Sequence, residues 1–152
     1  VTLGTGIGVA GLRNGQPVRN FKGEHPEIGH TPIPGINHPC YCGIDNCWEQ
    51  AASRKGLERL QEIYGHNNPL VWRDYAKFLS DGLFTIINSQ DPEVIVIGGS
   101  VSQYWNNLEK MVYENLSRNI YSSSSLKLVP STLGVFAGAF GAALIPEIAQ
   151  SS

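Results

Sequence analysis

Three cysteines lie close together in this sequence. Cys40, Cys42 and Cys47 fall within eight residues, and the chain has no others. Thiolate sulfur and imidazole nitrogen are ligands that Zn²⁺ prefers, and a structural zinc site fills all four tetrahedral positions with protein ligands. The cysteines supply three of the four, and Gly43, directly after Cys42, suits the tight turn that would bring the sulfurs together.

Spacing alone leaves the fourth ligand open, because His25, His30 and His38 all lie nearby. It also leaves room for a disulfide with one spare thiol, or for three buried apolar cysteines. The odd number of cysteines argues against a full disulfide framework, and a Cys-x-Cys pair closes too short a ring for an easy disulfide. The spacing therefore favours a metal site.

A glycine-rich stretch, Gly-Thr-Gly-Ile-Gly at residues 4–8, opens the chain. Together with Gly11 it spells the dinucleotide-binding pattern G-x-G-x-x-G, which has meaning only between a strand and a helix. Here the hairpin turn signal Asn14-Gly15 follows, and no helical period does. A Rossmann site is therefore excluded. Two interpretations remain: an ordinary glycine-rich β-turn, or a hairpin whose backbone amides face a phosphate, with the Thr5 hydroxyl as a further donor.

The rest of the sequence predicts a mixed α/β chain. The predicted elements are three short strands within residues 1–18, a helix from Cys47 to a cap at Gly65, a helix from Pro69 to Asp91, a buried parallel strand over 94–97, a helix from Ser102 to Asn119, a strand over 126–129 and a helix over 136–148. The serine run 122–125 predicts a solvated loop.

Two of these elements carry candidate functional groups. Glu49 falls in the first turn of the helix that follows Cys47, where a carboxylate could bind a ligand or only interact with the helix dipole. The segment Gly98-Gly99-Ser100 follows the strand 94–97. Ligands collect at the carboxyl ends of strands in α/β sheets, although two glycines alone are weak evidence.

The amino-acid composition and net charge limit the possible functions. The chain has 152 residues, 41% of them hydrophobic and 16% charged, with a net charge of -2. These values are typical of a soluble globular domain and give no electrostatic basis for binding nucleic acid or an anionic membrane. Reduced cysteines at metal spacing suit a cytoplasmic protein. Val1-Thr2-Leu3 has the pattern of a strand already under way, so we expect a fragment with a partner lobe upstream.

The motif Glu-Ile-Gly-His at residues 27–30, followed by Cys-x-Cys-Gly-x-x-x-Cys-x-Glu at residues 40–49, resembles the signature of the ROK family (repressors, open reading frames, kinases). Its members are sugar kinases and sugar-responsive repressors. The resemblance covers essentially the whole chain. It implies an α/β fold, a ribonuclease H-like lobe of the actin-like ATPase superfamily with a zinc-stapled loop, and makes residues 1–152 the carboxyl-terminal lobe.

The resemblance also implies roles for individual residues. The implied zinc ligands are His30, Cys40, Cys42 and Cys47. The implied sugar-binding residues are Glu27, His30 and Glu49. The implied contacts to Mg-ATP are Gly4, Thr5, Gly6, Gly98, Gly99 and Ser100. Asn46 stands where the family commonly has glycine, and asparagine tolerates the left-handed conformation that such a turn would need.

The function implied is an ATP-dependent hexose kinase, expected to work as a homodimer. Its general-base aspartate is expected in the amino-terminal lobe, so this chain should be inactive alone. The competing class is the sugar-sensing domain of a transcriptional repressor, in which the same residues bind sugar. A third class, a zinc-stapled interaction domain, would leave Glu27 and Glu49 unexplained.

Overall fold

The structure is a computed structural model that describes residues 1–118 and 126–150. Its strands are β1 (Thr2–Leu3), β2 (Ile7–Gly8), β3 (Leu12–Arg13), β4 (Gln16–Pro17), β5 (Val94–Ile97) and β6 (Lys127–Pro130). Its helices are α1 (Trp48–Ala52), α2 (Arg54–Tyr64), α3 (Pro69–Gln90), α4 (Trp105–Ser117) and α5 (Ala137–Gln150), with 3₁₀ turns at Ile28–His30, Ser100–Tyr104 and Gly134–Phe136.

Two small sheets, β1–β2 and β5–β6, are joined by a single bridge. β5 and β6 pair in parallel, and β1 and β2 form an antiparallel hairpin. β1 joins β5 through a parallel bridge between Thr2 and Gly98, where the Leu3 amide donates to the Gly98 carbonyl at 2.8 Å. Because β1 and β5 run in the same direction, the turn at residues 4–6 and the segment 98–100 leave the sheet at the same edge.

The long helix α3 is the centre of the core and packs against α1, α2 and α4. Its predicted boundaries are confirmed: the Asn68 side chain accepts the Leu70 amide at 3.0 Å, Pro69 is the first helical residue, and Asp91 ends the helix in the left-handed conformation. Tyr75 of α3 is fully buried, and its hydroxyl donates to the Ala52 carbonyl at 2.5 Å. This bond fixes the end of α1 on α3.

Trp48 anchors the other end of α1. Its ring is fully buried against Gly82 of α3, where a Cβ atom would overlap the indole. The helix that begins beside Cys47 and carries Glu49 is therefore held in place by a large aromatic side chain that fits only against glycine.

The predicted helix from Cys47 to Gly65 is wrong in one respect, because it is two helices. Ser53 is extended (φ -77°, ψ 176°) and separates α1 from α2. At this corner the Arg54 amide donates to the Gly4 carbonyl at 2.8 Å instead of to its own helix. Gly56 allows the sharp bend, since a Cβ there would overlap the Ala51 carbonyl.

Three further expectations are corrected. The first 18 residues form four short strands in two hairpins, not three strands. The strand β5 is parallel as predicted, but it is not buried on both faces: Val94 and Val96 are 49% and 46% exposed, while Ile95 and Ile97 face the core. The helix expected from Ser102 is a 3₁₀ turn up to Tyr104, and α4 starts at Trp105. Asn119 and the serine run 122–125 lie outside the described residues.

Across the described ranges, no helix is both long enough and apolar enough to cross a bilayer.

We expect Gly82→Ala to lower the free energy of unfolding by up to about 2 kcal/mol, because overpacking a core costs about 1–3 kcal/mol and alanine regains only about 1 kcal/mol of helix propensity. Urea unfolding measures the change. Gly138→Ala in α5 is the matched control, since a Cβ there meets no atom within 4 Å, and it should keep or raise the stability. Equal stability changes for the two variants would contradict the role given to Trp48.

Candidate functional site

The structure brings together one histidine and the three cysteines. The ligand atoms of His30, Cys40, Cys42 and Cys47 all lie within 4.8 Å of one another. His30 Nδ1 is 3.0 Å from Cys47 Sγ and 3.6 Å from Cys40 Sγ, and Cys42 Sγ is 3.5 Å from Cys47 Sγ. All three cysteines are free. One imidazole nitrogen and three sulfurs could hold a metal ion, and they match the donor types that structural zinc sites use.

Backbone hydrogen bonds build this cluster from an irregular loop. Pro32 and Cys47 form an isolated antiparallel β-bridge, and the Trp48 amide donates to the Thr31 carbonyl at 2.9 Å. These two contacts place the histidine turn against the start of α1. Between the cysteines, the Gly43 amide donates to the Cys40 carbonyl at 3.0 Å, and Gly43 has a φ of +93°. The role expected of Gly43 is thereby confirmed.

The expectation for Asn46 is wrong, because among the described non-glycine residues only Asn14 and Asp91 have positive φ. Asn46 instead ties the loop together. Its carbonyl accepts the Ile33 amide at 2.8 Å, and its side chain donates to the Ile33 carbonyl at 3.2 Å. A side-chain hydrogen bond, and not backbone freedom, explains this residue.

The thiols influence one another strongly. Burial acts to raise the pKa of Cys40, but hydrogen bonds from Cys42, Gln50 and Cys47 outweigh it and bring the pKa down to about 7. Burial raises the pKa of Cys47 far above its usual range, and the neighbouring Cys42 and Cys40 sulfurs raise it further. Because thiolates this close repel one another, a cation among them would stabilise their charged forms.

The two other nearby histidines lie elsewhere. His38 is not a member of the cluster; its backbone amide pairs with the Asp45 carbonyl at 2.5 Å. The His25 ring lies 3.5 Å from the Glu27 carboxylate at the surface. Of the three histidines that spacing left open, the structure brings His30 to the thiols.

His30 presents its second nitrogen to a residue that the sequence did not single out. Nε2 is 2.8 Å from the Tyr41 hydroxyl, and the two rings meet edge to face at 4.9 Å between centroids. Tyr41 is 83% exposed. Desolvation is the main cause that raises the pKa of Tyr41. The negative charges of Glu49, Cys40 and Glu27 raise the pKa further, in that order. In the sequence, Tyr41 is marked only by its position between Cys40 and Cys42.

Glu49 lies in the first turn of α1, as predicted. Its carboxylate does more than interact with the helix dipole: Oε2 accepts the backbone amide of Ile7 at 3.0 Å. The carboxylate reaches Ile7 beside Gly6, where a Cβ atom would overlap Glu49 Oε2. The glycine-rich hairpin and the cysteine loop are therefore in direct contact through Glu49.

The third predicted sugar-binding residue, Glu27, lies just before the 3₁₀ turn that carries His30. Its side chain is 70% exposed and pairs with His25. The next glycine, Gly29, is buried against β2, since a Cβ there would overlap the Ile7 carbonyl. Sequence reasoning missed this packing role, although Gly29 is part of the Glu-Ile-Gly-His motif.

The two predicted nucleotide segments lie at the same edge of the sheet. Gly4, Thr5 and Gly6 form the turn between β1 and β2, with the Gly4 amide donating to the Gly6 carbonyl at 3.0 Å. Gly99 has a φ of +86°, and a Cβ there would overlap the Leu3 backbone. Close packing between β1 and β5 thus explains Gly99 without a ligand. Ser100 begins the 3₁₀ turn, and its carbonyl accepts the Gln103 side chain at 2.8 Å.

Comparison with known families identifies the chain. The family model described as "ROK family" matches residues 1–148.

The chain belongs to the ROK family.

Its curated relatives include both regulators and enzymes. The xylose repressor of Bacillus subtilis is 27% identical over 93% of this chain and 41% of the repressor. The glucokinase of Halalkalibacterium halodurans is 27% identical over the whole chain and 56% of the enzyme. The chain thus spans about half the length of the curated relatives that it matches.

Solved structures agree on the fold. A ROK family glucokinase from Streptomyces griseus, crystallised with glucose and AMPPNP, matches with a TM-score of 0.77 and 23% identity, covering 93% of this chain and 57% of the glucokinase. A ROK hexokinase from Thermus thermophilus matches with a TM-score of 0.75 and 27% identity, covering 94% and 56%. The α/β fold is therefore that of the ROK sugar kinases.

We expect freshly purified, chelator-free protein to contain one Zn²⁺ per chain. Because His30 would be a direct ligand, His30→Ala should weaken zinc binding by more than the roughly 10–100-fold that loss of an outer partner costs. His38→Ala is the matched control, and it should retain the metal. Elemental analysis and a chelator competition measure both. Less than half an equivalent in the wild type, or equal zinc retention in the two variants, would contradict the assignment.

Proposed function

We propose that this chain is the carboxyl-terminal ATP- and sugar-binding lobe of a hexose kinase that transfers the γ-phosphoryl group of ATP to a sugar hydroxyl. One observation carries the proposal: the Glu49 carboxylate lies between a Cys/His cluster and a glycine-rich turn, and contacts the turn directly. In a ROK chain this arrangement suits a sugar site next to a phosphate site.

The zinc in this proposal is structural. His30, Cys40, Cys42 and Cys47 would hold it, and four protein ligands leave no open position for catalysis. When bound, the ion neutralises the crowded thiolates and fixes the loop. The loop residues then hold His30 and Glu49 in a constant relative position.

Glu27 and Glu49 would accept hydrogen bonds from sugar hydroxyls, and His30 would form a third hydrogen bond to the sugar. His30 Nδ1 faces the sulfurs, which leaves Nε2 for a sugar hydroxyl, the usual division of labour in a metal-bound imidazole. Glu49 has one oxygen on the Ile7 amide, and the other would accept a sugar hydroxyl. Glu27 is the most exposed of the three and would close over the sugar from the surface.

The nucleotide would lie at the edge where β1 and β5 end. The turn Gly4-Thr5-Gly6 would contact the phosphates of Mg-ATP, and Gly98, Gly99 and Ser100 would line the nucleoside. The Ile7 amide is already engaged by Glu49, so the phosphate contacts fall to the turn itself. Phosphoryl transfer depends on such positioning and on charge stabilisation.

The proposal requires an amino-terminal lobe that supplies the general-base aspartate, so this chain alone should be inactive. Apolar side chains that such a lobe could cover are exposed: Val94 and Val96 are half-exposed, and Phe136 and Phe140 are 66% and 56% exposed. Burial of this surface against a second lobe would be favourable.

A second function has support of its own. The xylose repressor of Bacillus subtilis aligns with 93% of this chain, so the same lobe could sense a sugar for a transcription regulator. The sugar contacts would be unchanged, and the nucleotide contacts at Gly4–Gly6 would have no role.

The deciding experiment uses the full-length protein. A kinase should convert ATP and hexose to ADP and hexose phosphate, and a repressor should bind operator DNA and release it with sugar. Glu49→Gln should lower hexose affinity roughly ten- to hundred-fold, because a charged acceptor is worth about 1.5–3 kcal/mol. Its zinc content should stay at the wild-type value. Hexose binding as tight as wild type would remove Glu49 from the sugar site.

A further prediction concerns Tyr41, whose hydroxyl now occupies His30 Nε2. A sugar hydroxyl must displace it, so Tyr41→Phe should raise hexose affinity about two- to tenfold, the value of one net hydrogen bond. Tyr64→Phe, which loses the bond to Asp74 in α3, is the control and should leave hexose affinity unchanged. Lower affinity in Tyr41→Phe would mean that Tyr41 itself contacts the sugar.

A further inference from the structure

The contact between Glu49 and the glycine-rich hairpin is specific. Oε2 accepts the Ile7 amide at 3.0 Å across 42 residues of sequence. Gly6 makes room for the carboxylate. A Cβ atom at residue 6 would overlap Glu49 Oε2 and would lie only 3.1 Å from the carboxyl carbon. Gly8, on the same hairpin, faces away: its nearest neighbour would be Thr2 Cβ at 3.9 Å.

Two other contacts hold the same hairpin to neighbouring parts of the fold. The Arg54 amide, at the start of α2, donates to the Gly4 carbonyl at 2.8 Å. The backbone of Gly29 packs directly on the Ile7 carbonyl. The hairpin is thus linked both to the α1–α2 corner and to the histidine turn, so a change in its position is transmitted to both elements.

We propose that Glu49 couples the two substrate sites: one carboxylate oxygen positions the phosphate hairpin, while the other binds the hexose. This inference rests on the proposed kinase function. A hexose that fixes the carboxylate also fixes the Ile7 amide and the turn that meets the nucleotide phosphates. Linkage is reciprocal for binding, so bound nucleotide tightens hexose binding by the same factor.

The coupling gives Gly6 an unexpected role. A methyl group at residue 6 displaces the Glu49 carboxylate, and the hexose loses its acceptor even though residue 6 does not touch the sugar. A methyl group at residue 8 leaves the carboxylate in place. Glu49→Asp is a second route to the same loss, because a side chain one methylene shorter withdraws its carboxylate from Ile7 without crowding the hairpin.

The experiment is calorimetric titration of the full-length protein with hexose, and with a non-hydrolysable ATP analogue in the absence and presence of saturating hexose. In the wild type we expect hexose to tighten analogue binding by about tenfold, within the usual 5–150-fold range of coupling. Gly6→Ala should weaken hexose binding about tenfold or more and abolish the coupling. Gly8→Ala should keep both hexose affinity and coupling.

Zinc content and thermal unfolding establish that each variant is folded, and Glu49→Asp replaces Gly6→Ala if the latter is not. Wild-type hexose affinity in Gly6→Ala, coupling retained in Glu49→Asp, or no coupling in the wild type would overturn the inference while leaving the kinase proposal intact. A wild type that binds no hexose would overturn both.

Discussion

The hydrogen bond between the Trp48 amide and the Thr31 carbonyl, 2.9 Å long, is the constraint on which the rest of the site depends. It joins the turn that carries His30 to the first residue of α1, so the histidine and Cys47 meet. The same helix start carries Glu49 on its outer face and buries Trp48 on its inner face. The core thereby fixes the direction in which the candidate ligands project.

Both ends of α1 are fixed by contacts with the core, so the surface residues that α1 carries are also held in place. Trp48 is held by the glycine at residue 82, and Tyr75 holds the far end of α1 through the Ala52 carbonyl. The irregular loop that precedes α1 meets the core at Ile33, with Ile28 and Ile36 packed beside it, and otherwise relies on backbone hydrogen bonds and on the Cys/His cluster. Ordering a long loop costs conformational entropy, and these contacts together offset that cost.

The sequence predicted the elements with strong local signals. The Asn68-Pro69 start of α3, the β-branched run of β5 and the turn at Gly43 all depend on neighbouring residues, and the structure confirms them. The family signature likewise drew attention to the residues that cluster. Contacts between distant segments could not be predicted from the sequence. The break at Ser53 lies beside the bond from the Arg54 amide to the Gly4 carbonyl, and the packing of Gly6 depends on Glu49. No sequence pattern marks Tyr41, and its role becomes apparent only from its contact with the His30 ring.

The sequence separations in this fold also bear on the order in which it forms. The Cys/His cluster closes a ring within residues 30–47, whereas the bond from the Leu3 amide to the Gly98 carbonyl joins β1 to the distant segment after β5. Closing a short loop costs less chain entropy than closing a long one, and contacts of low sequence separation form faster. The cysteine loop can therefore become ordered before β1 pairs with β5. The contact between Ile7 and Glu49 has an intermediate separation of 42 residues and joins the helix start after the cysteine loop to the β1–β2 hairpin.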